Sequence, residues 1–100
     1  MYLTFPDESV AVEVARELVE RRLAACVNLM PPGRSIYRWE GRVVEEREVV
    51  AWAKTTREKV SELVGSLREL HPYELPCAVA YPAVDGSSEE YLAWVAREVS

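Results

Sequence analysis

Residues 35–55 read SIYRWEGRVVEEREVVAWAKT. Ile36, Tyr37 and Trp39 favour a strand, Glu40-Gly41-Arg42 interrupts it, and Val43-Val44 resumes before a charged stretch and a second apolar run, Val49-Val50-Ala51-Trp52-Ala53. The stretch predicts a long antiparallel hairpin with Glu45-Glu46-Arg47-Glu48 as its solvated tip. Side chains alternate along a strand, so Val49, Ala51 and Ala53 share one face while Val50, Trp52 and Lys54 share the other. An antiparallel sheet with one wet face alternates apolar with polar residues, whereas this run is apolar on both faces. Both faces therefore need cover, and in so short a chain part of it is expected from another subunit.

The 100 residues form one domain, 1–100, of which 49% are hydrophobic and 29% charged, the composition of a soluble globular protein. A formal net charge of -5 argues against a general nucleic-acid binder or a protein of anionic membranes, since either wants a basic surface. Small ligands, cations and protein partners remain. No apolar run approaches the ~20 residues of a membrane span, and Met1-Tyr2-Leu3-Thr4 lacks a basic segment followed by an apolar one. The expected location is the cytoplasm. Cys26 and Cys77 form neither a CxxC nor a disulfide framework, which fits a reducing compartment. Glutamine is absent and Asn28 is the one asparagine, a shortage of thermolabile amides that points to a thermostable protein.

Along the chain, Tyr2 to Phe5 predicts a strand and Asp7 a helix N-cap. Val10, Val14 and Leu18, with Ala11 and Ala15, make one apolar helix face. Ala24 to Met30 predicts a buried strand, and Pro31-Pro32-Gly33 turns into the hairpin. Thr55-Thr56-Arg57-Glu58 matches a capping box with Thr55 as N-cap, followed by the stripe Val60, Leu63, Val64, Leu67 and Leu70, which Pro72 stops. Cys77 to Tyr81 predicts a further strand, and Ser87-Ser88-Glu89-Glu90 caps a last helix with Tyr91, Leu92, Trp94, Val95 and Val99 inward. The order βαββαβ followed by a helix predicts an α+β, ferredoxin-like split βαβ sandwich with an extra C-terminal helix. In that fold one sheet face stays open, and self-association in a closed ring would cover it.

His71 is the only histidine, so no His pair or His/Cys cluster of metal-ligand spacing exists. Two readings of His71 stand: a ring that serves the free carbonyls of a helix end, or a binding group. Cys26 and Cys77 are most simply small buried residues, on opposite edges of the fold and so not paired with each other. The serines include no GxSxG elbow. Tyr37, Trp39 and Trp52 read as core or interface aromatics. Lys54 either snorkels to solvent or projects into a cleft near the second helix. The acids 45–48 are a solvated tip or a weak oxygen-ligand attraction for divalent cations.

Leu23-Ala24-Ala25-Cys26-Val27-Asn28, Ser35-Ile36-Tyr37-Arg38-Trp39-Glu40-Gly41, Lys54-Thr55, His71-Pro72-Tyr73-Glu74-Leu75-Pro76 and Tyr91-Leu92-Ala93-Trp94 together resemble the CutA divalent-cation tolerance family. The resemblance covers nearly the whole chain. It implies a PII-like homotrimer, with the long hairpin of residues 35–55 in the ferredoxin-like fold knitting subunits together, and a role in tolerance of or response to divalent metal ions, copper among them. It also implies that the chain is not an enzyme and uses no organic cofactor, with copper or another divalent cation as the metal. Copper binding in the family involves a cysteine on the first strand, where Leu3 stands here, and the histidine that His71 matches. The expected metal set is His71, Glu74 and Cys26, and the expected ligand-binding set is Asn28, Trp39, Glu40, Lys54 and Tyr73, in a cleft near subunit contacts. An alternative is a signalling or scaffold module that binds a small anionic metabolite and has no metal role, in which Lys54 matters more than His71. A third, an acylphosphatase-like enzyme, lacks its phosphate loop, since Thr4-Phe5-Pro6-Asp7 follows the first strand.

Overall fold

The computed structural model describes residues 1–100. Strand β1 (Tyr2–Phe5) ends at Pro6, and Asp7 starts helix α1 (Glu8–Glu20) by accepting a hydrogen bond from the Val10 amide at 2.9 Å. Ala11, Val14, Ala15 and Leu18 form its buried stripe. The helix closes with a Schellman turn: the Leu23 amide donates to the Leu18 carbonyl at 2.9 Å and the Arg22 amide to that of Val19 at 3.0 Å, with Arg22 left-handed at φ 59. Leu23 and Leu18 both sit in the core, the apolar contact that accompanies this turn. This is why the next strand follows so soon.

Strand β2 (Cys26–Leu29), β3 (Gly33–Trp39) and β4 (Arg42–Lys54) carry the hairpin. One strand expected over Ala24–Met30 and the first arm of the hairpin are two segments of a single line, because Pro31 and Pro32 have no amide to donate to a ladder. Both segments pair antiparallel with β4, β2 from Cys26 opposite Lys54 and β3 from Gly33 opposite Glu48. The sheet therefore has five strands, in the order β2-β4-β1-β5 with β3 beside the outer half of β4; β5 is Ala78–Val79. All pairings are antiparallel, as the ferredoxin-like topology requires.

The expected tip at Glu45–Glu48 is not where the chain reverses. It reverses at Glu40-Gly41, with φ 49 and 78, and Glu45 to Glu48 run inside β4 opposite Ile36 to Gly33. A two-residue turn that suits the twist of a hairpin needs positive φ at both positions, which Gly41 adopts freely and no residue of 45–48 does.

Two caps also differ from expectation. Thr55 does not cap a helix; its hydroxyl donates to the Leu23 carbonyl at 2.7 Å, tying the end of β4 to the turn after α1. A 3-10 turn (Arg57–Lys59) leads into α2 (Val60–Leu70), with Thr56 at its N-cap and no side-chain capping bond. For α3 (Glu89–Glu98), Ser88 rather than Ser87 accepts from the Tyr91 amide, at 3.3 Å, while the Ser87 hydroxyl donates to the Val84 carbonyl. The predicted strand Cys77–Tyr81 shrinks to Ala78–Val79.

The core lies between the sheet and α1 and α2, built on Leu3, Phe5, Val14, Leu18, Val49, Ala51, Ala53, Leu63 and Leu67. Val49, Ala51 and Ala53 face inward, as alternation requires, and Val50, Trp52 and Lys54 face out. Val95 and Val99 of α3 cover only Ala25 at one corner. The rest of the outer face stays open: Trp52 is 40% exposed, with Tyr2 edge-on at 5.2 Å and Tyr81 tilted at 6.2 Å between ring centroids. The β3–β4 arm makes the molecule elongated, 44 × 27 × 23 Å, and leaves Ile36, Trp39 and Val43 in solvent.

Candidate functional site

The open sheet face carries most of the polar chemistry. Paired residues point to one side, so the registers Cys26–Lys54, Asn28–Trp52, Tyr2–Trp52 and Thr4–Val50 place Cys26, Asn28, Lys54, Tyr2 and Thr4 on the face of Trp52. Glu48, two residues before Val50, joins them. Asn28, Lys54 and Cys26 thus come together at one end of this face.

At the other end is a polar node built on His71. Alternation along β1 turns the Thr4 carbonyl toward the β5 side, where the short β5 pairs only with Tyr2 and Leu3. His71 takes the missing partner's place: its Nε2 lies 2.8 Å from that carbonyl, and the Tyr73 amide donates to its Nδ1 at 3.0 Å. Because the amide can only donate, Nδ1 accepts and the proton sits on Nε2, which donates to Thr4. The ring is 6% exposed and stacks on Phe5 at 5.1 Å. Both nitrogens are committed, so a metal ion at His71 would have to displace one of these bonds.

Tyr73 donates its hydroxyl to Glu48 Oε2 at 3.1 Å, and Glu48 is 7% exposed. Burial, then the bond to Glu48 and the charge of Glu48 and Glu46, hold the Tyr73 hydroxyl well above its ordinary pKa. Burial, with the Glu48 charge next, also pushes the Cys77 thiol up, which keeps it protonated and a poor metal ligand at neutral pH. Glu48 was hidden in the sequence by its charged neighbours. Its one signal was spacing, since it continues the series Val50, Trp52, Lys54 at intervals of two.

The remaining candidates are scattered. Cys26 Sγ lies 3.3 Å from the Tyr91 hydroxyl, a contact that raises the pKa of Tyr91. Glu74 is exposed and makes no ion pair. Trp39 and Glu40 sit at the arm tip, and the 13-residue β4 puts about 40 Å between that tip and Lys54. No three His, Cys, Asp or Glu side chains are grouped to hold a metal ion. Within one chain, then, the expected metal set His71, Glu74 and Cys26 is not assembled. Lys54 does line a cleft of about 360 Å³ at the end of β4, with Thr56, Arg57, Tyr81 and Leu92 among its walls.

This fold and these blocks have known counterparts. The family model described as CutA1 divalent ion tolerance protein matches residues 1–98. The chain belongs to this family. It is 47% identical over 93 residues to the divalent-cation tolerance protein CutA of Thermus thermophilus, a match spanning 93% of this chain and 89% of that protein. It is 46% identical over 99 residues to the human protein CutA, covering 99% of this chain but 54% of the human protein, so the chain spans about half the length of that relative. Among solved structures, the Thermus thermophilus protein superposes with a TM-score of 0.94 at 43% identity, covering 99% of this chain and 95% of the other. The protein described as the periplasmic divalent cation tolerance protein CutA of Archaeoglobus fulgidus does so with a TM-score of 0.93 at 34% identity, covering 99% and 95%. The family's fold includes the five-stranded antiparallel sheet and the three helices described above. No helix of the chain is long and apolar enough to cross a membrane.

Proposed function

We propose that this chain acts in tolerance of, or response to, divalent metal ions, copper among them, as a cytoplasmic homotrimer that binds a metal ion or small ligand where subunits meet, and not as an enzyme. The observation that carries the reading is the uncovered outer sheet face, with Trp52 and Tyr81 exposed and the apolar arm residues Ile36, Trp39 and Val43 in water. Such a surface favours burial against further copies of the chain. The distance between the arm tip and Lys54 supports the same reading, because Trp39 and Glu40 reach the Lys54 end of a sheet only when a neighbouring chain supplies them. The names of the relatives support the metal response. His71, Glu74 and Cys26 remain the proposed metal contacts, Asn28, Trp39, Glu40, Lys54 and Tyr73 the proposed ligand contacts, with groups from more than one chain completing a site that one chain leaves open.

The test is growth of a bacterial strain lacking its own relative, across a copper series, with this chain supplied in trans. Restored growth that Cys26→Ser or Glu74→Ala weakens supports direct metal handling. Equal growth with and without the chain overturns the metal reading.

A further inference from the structure

Packing the outer sheet face against other copies leaves Glu48 with a charge that one chain does not balance. Glu48 is 7% exposed, and the Tyr73 hydroxyl at 3.1 Å is the one hydrogen bond its side chain receives. It is in no ion pair, and neither is Glu46, two residues earlier on the same face. Assembly on this face removes the last contact of Glu48 with water. A carboxylate taken out of water stays ionised only where an opposite charge and further hydrogen bonds meet it.

The chain's own cations do not reach it. Among the strand residues, the outer face carries Arg42 and Lys54 alone, because the pairs Arg34–Arg47 and Arg38–Val43 point to the other side of the arm. Arg42 and Lys54 are the two ends of β4, each about 20 Å from Glu48 along the strand. That is about twice the ~10 Å over which charges act at ordinary salt. The connector that brings Tyr73 to Glu48, residues 71–77, has no Lys or Arg. A metal ion is a poorer match for the missing charge. Both His71 nitrogens are committed, and burial with the Glu48 charge keeps the Cys77 thiol protonated, so no free imidazole or thiolate stands beside the carboxylate.

We infer that a neighbouring copy of the chain supplies a Lys or Arg side chain to Glu48, forming an ion pair between chains that Tyr73 orients from within. The inference rests on the proposed homotrimer and adds the charge contact that the assembly needs. Tyr73 donates to Oε2, which leaves Oε1 to take a charge-assisted bond from the incoming cation. A copy docked out of register would leave the carboxylate buried and unpaired, so the pair selects one arrangement of the chains over others.

The test is urea unfolding of the intact assembly at low salt, with a chelator present and native mass spectrometry reporting the number of chains. Glu48→Gln keeps an oxygen to accept from Tyr73 and removes the charge, so the sign of its effect decides the matter. Removing an unpaired buried charge raises the urea midpoint, whereas removing one half of an ion pair lowers it. The expected result is a lower midpoint, and at least about a tenfold rise in the protein concentration at which the trimer gives way to single chains. Glu45→Gln, whose partner Arg34 lies 3.8 Å away on an exposed surface, should change neither. The nine Lys and Arg residues other than Arg21, Arg22 and Arg34 are then neutralised one at a time, in the parent and in Glu48→Gln. One of them should cost much less in Glu48→Gln than in the parent. Sites more than about 10 Å apart in one chain add independently, so coupling to a remote cation places the pair between chains. A midpoint unchanged or raised in Glu48→Gln, coupling to no cation or only to its chain neighbour Arg47, or a loss seen only when copper is present would overturn the inference. A trimer indifferent to Glu48→Gln overturns the ion pair and leaves the homotrimer standing, whereas a parent chain that stays single removes both.

Discussion

Replacing His71 with Phe keeps a ring against Phe5 and removes only the two bonds made by its nitrogens. The Thr4 carbonyl then loses its partner at 2.8 Å and the Tyr73 amide its partner at 3.0 Å. Each orphaned group costs about 1–3 kcal/mol when water cannot replace the partner. Thr4 is buried and stands near the middle of that range, Tyr73 is half-buried and near the bottom, so the loss is about 3 kcal/mol in all. For a domain of this size that lowers Tm by roughly 12–24 °C. Guanidinium unfolding at one fixed protein concentration measures it, since any self-association makes apparent stability depend on concentration. Glu74→Ala, an exposed change three residues on, should stay within about 0.5 kcal/mol of the parent. A His71→Phe chain as stable as the Glu74→Ala chain would show that the imidazole nitrogens hold nothing, and would return the ring to the metal as a free ligand.

Three further outcomes follow from the same geometry. Tyr73 and Cys77 have folded-state pKa values raised above their ordinary 10.0 and 9.0, so the stability they contribute is complete below those values and lost as pH rises past them. Tyr73→Phe should therefore flatten the alkaline decline of the guanidinium midpoint above about pH 10, and an unchanged decline would remove Tyr73 as its cause. Glu40→Asn, at the first turn position with φ 49, should raise stability by about 0.5–1 kcal/mol in the same unfolding experiment, because asparagine tolerates the left-handed region better than glutamate. Ser88→Ala removes the acceptor of the Tyr91 amide and should cost about 1 kcal/mol, with amide hydrogen exchange quickened in α3 and unchanged in α1 and α2.

Much of the fold was legible because its periodicities are clean. The stripe of α1 and the alternation through Val49, Ala51 and Ala53 each admit one face for the core, and the structure buries that face. The hairpin tip was misplaced for a physical reason: four consecutive charged residues look like a solvated turn, yet polarity does not reverse a chain, and the positive φ values at Glu40 and Gly41 do. Pro31-Pro32-Gly33 was expected to turn the chain, but it only interrupts the strand: prolines cannot donate to a ladder, yet the chain continues along the same neighbour, as β2 and β3 do along β4. Thr55 fitted a capping pattern that local sequence cannot distinguish from its real use, a bond to Leu23 more than thirty residues away.

The candidate site was legible in its chemistry and not in its placement. Lys54 was recognised as a cation at the end of an apolar strand, and it does line a cleft. His71 was weighed between a helix-end role and a binding role; the structure gives it a sheet-edge carbonyl and the amide of Tyr73, a use of both nitrogens that spacing could not reveal. Glu48 escaped because its burial depends on Tyr73, which approaches from another part of the chain. Cys26, Trp39 and His71 belong to motifs of one family yet lie apart within a single chain, which is the strongest reason to look for the site between chains.

Native mass spectrometry of the purified, reduced protein during a copper titration tests assembly and metal binding in one experiment. The account predicts a species of three chains that takes up copper saturably in whole numbers per trimer, with uptake reduced in Cys26→Ser. A single 11.4 kDa chain, or a trimer whose copper uptake never saturates and ignores the substitution, would contradict it.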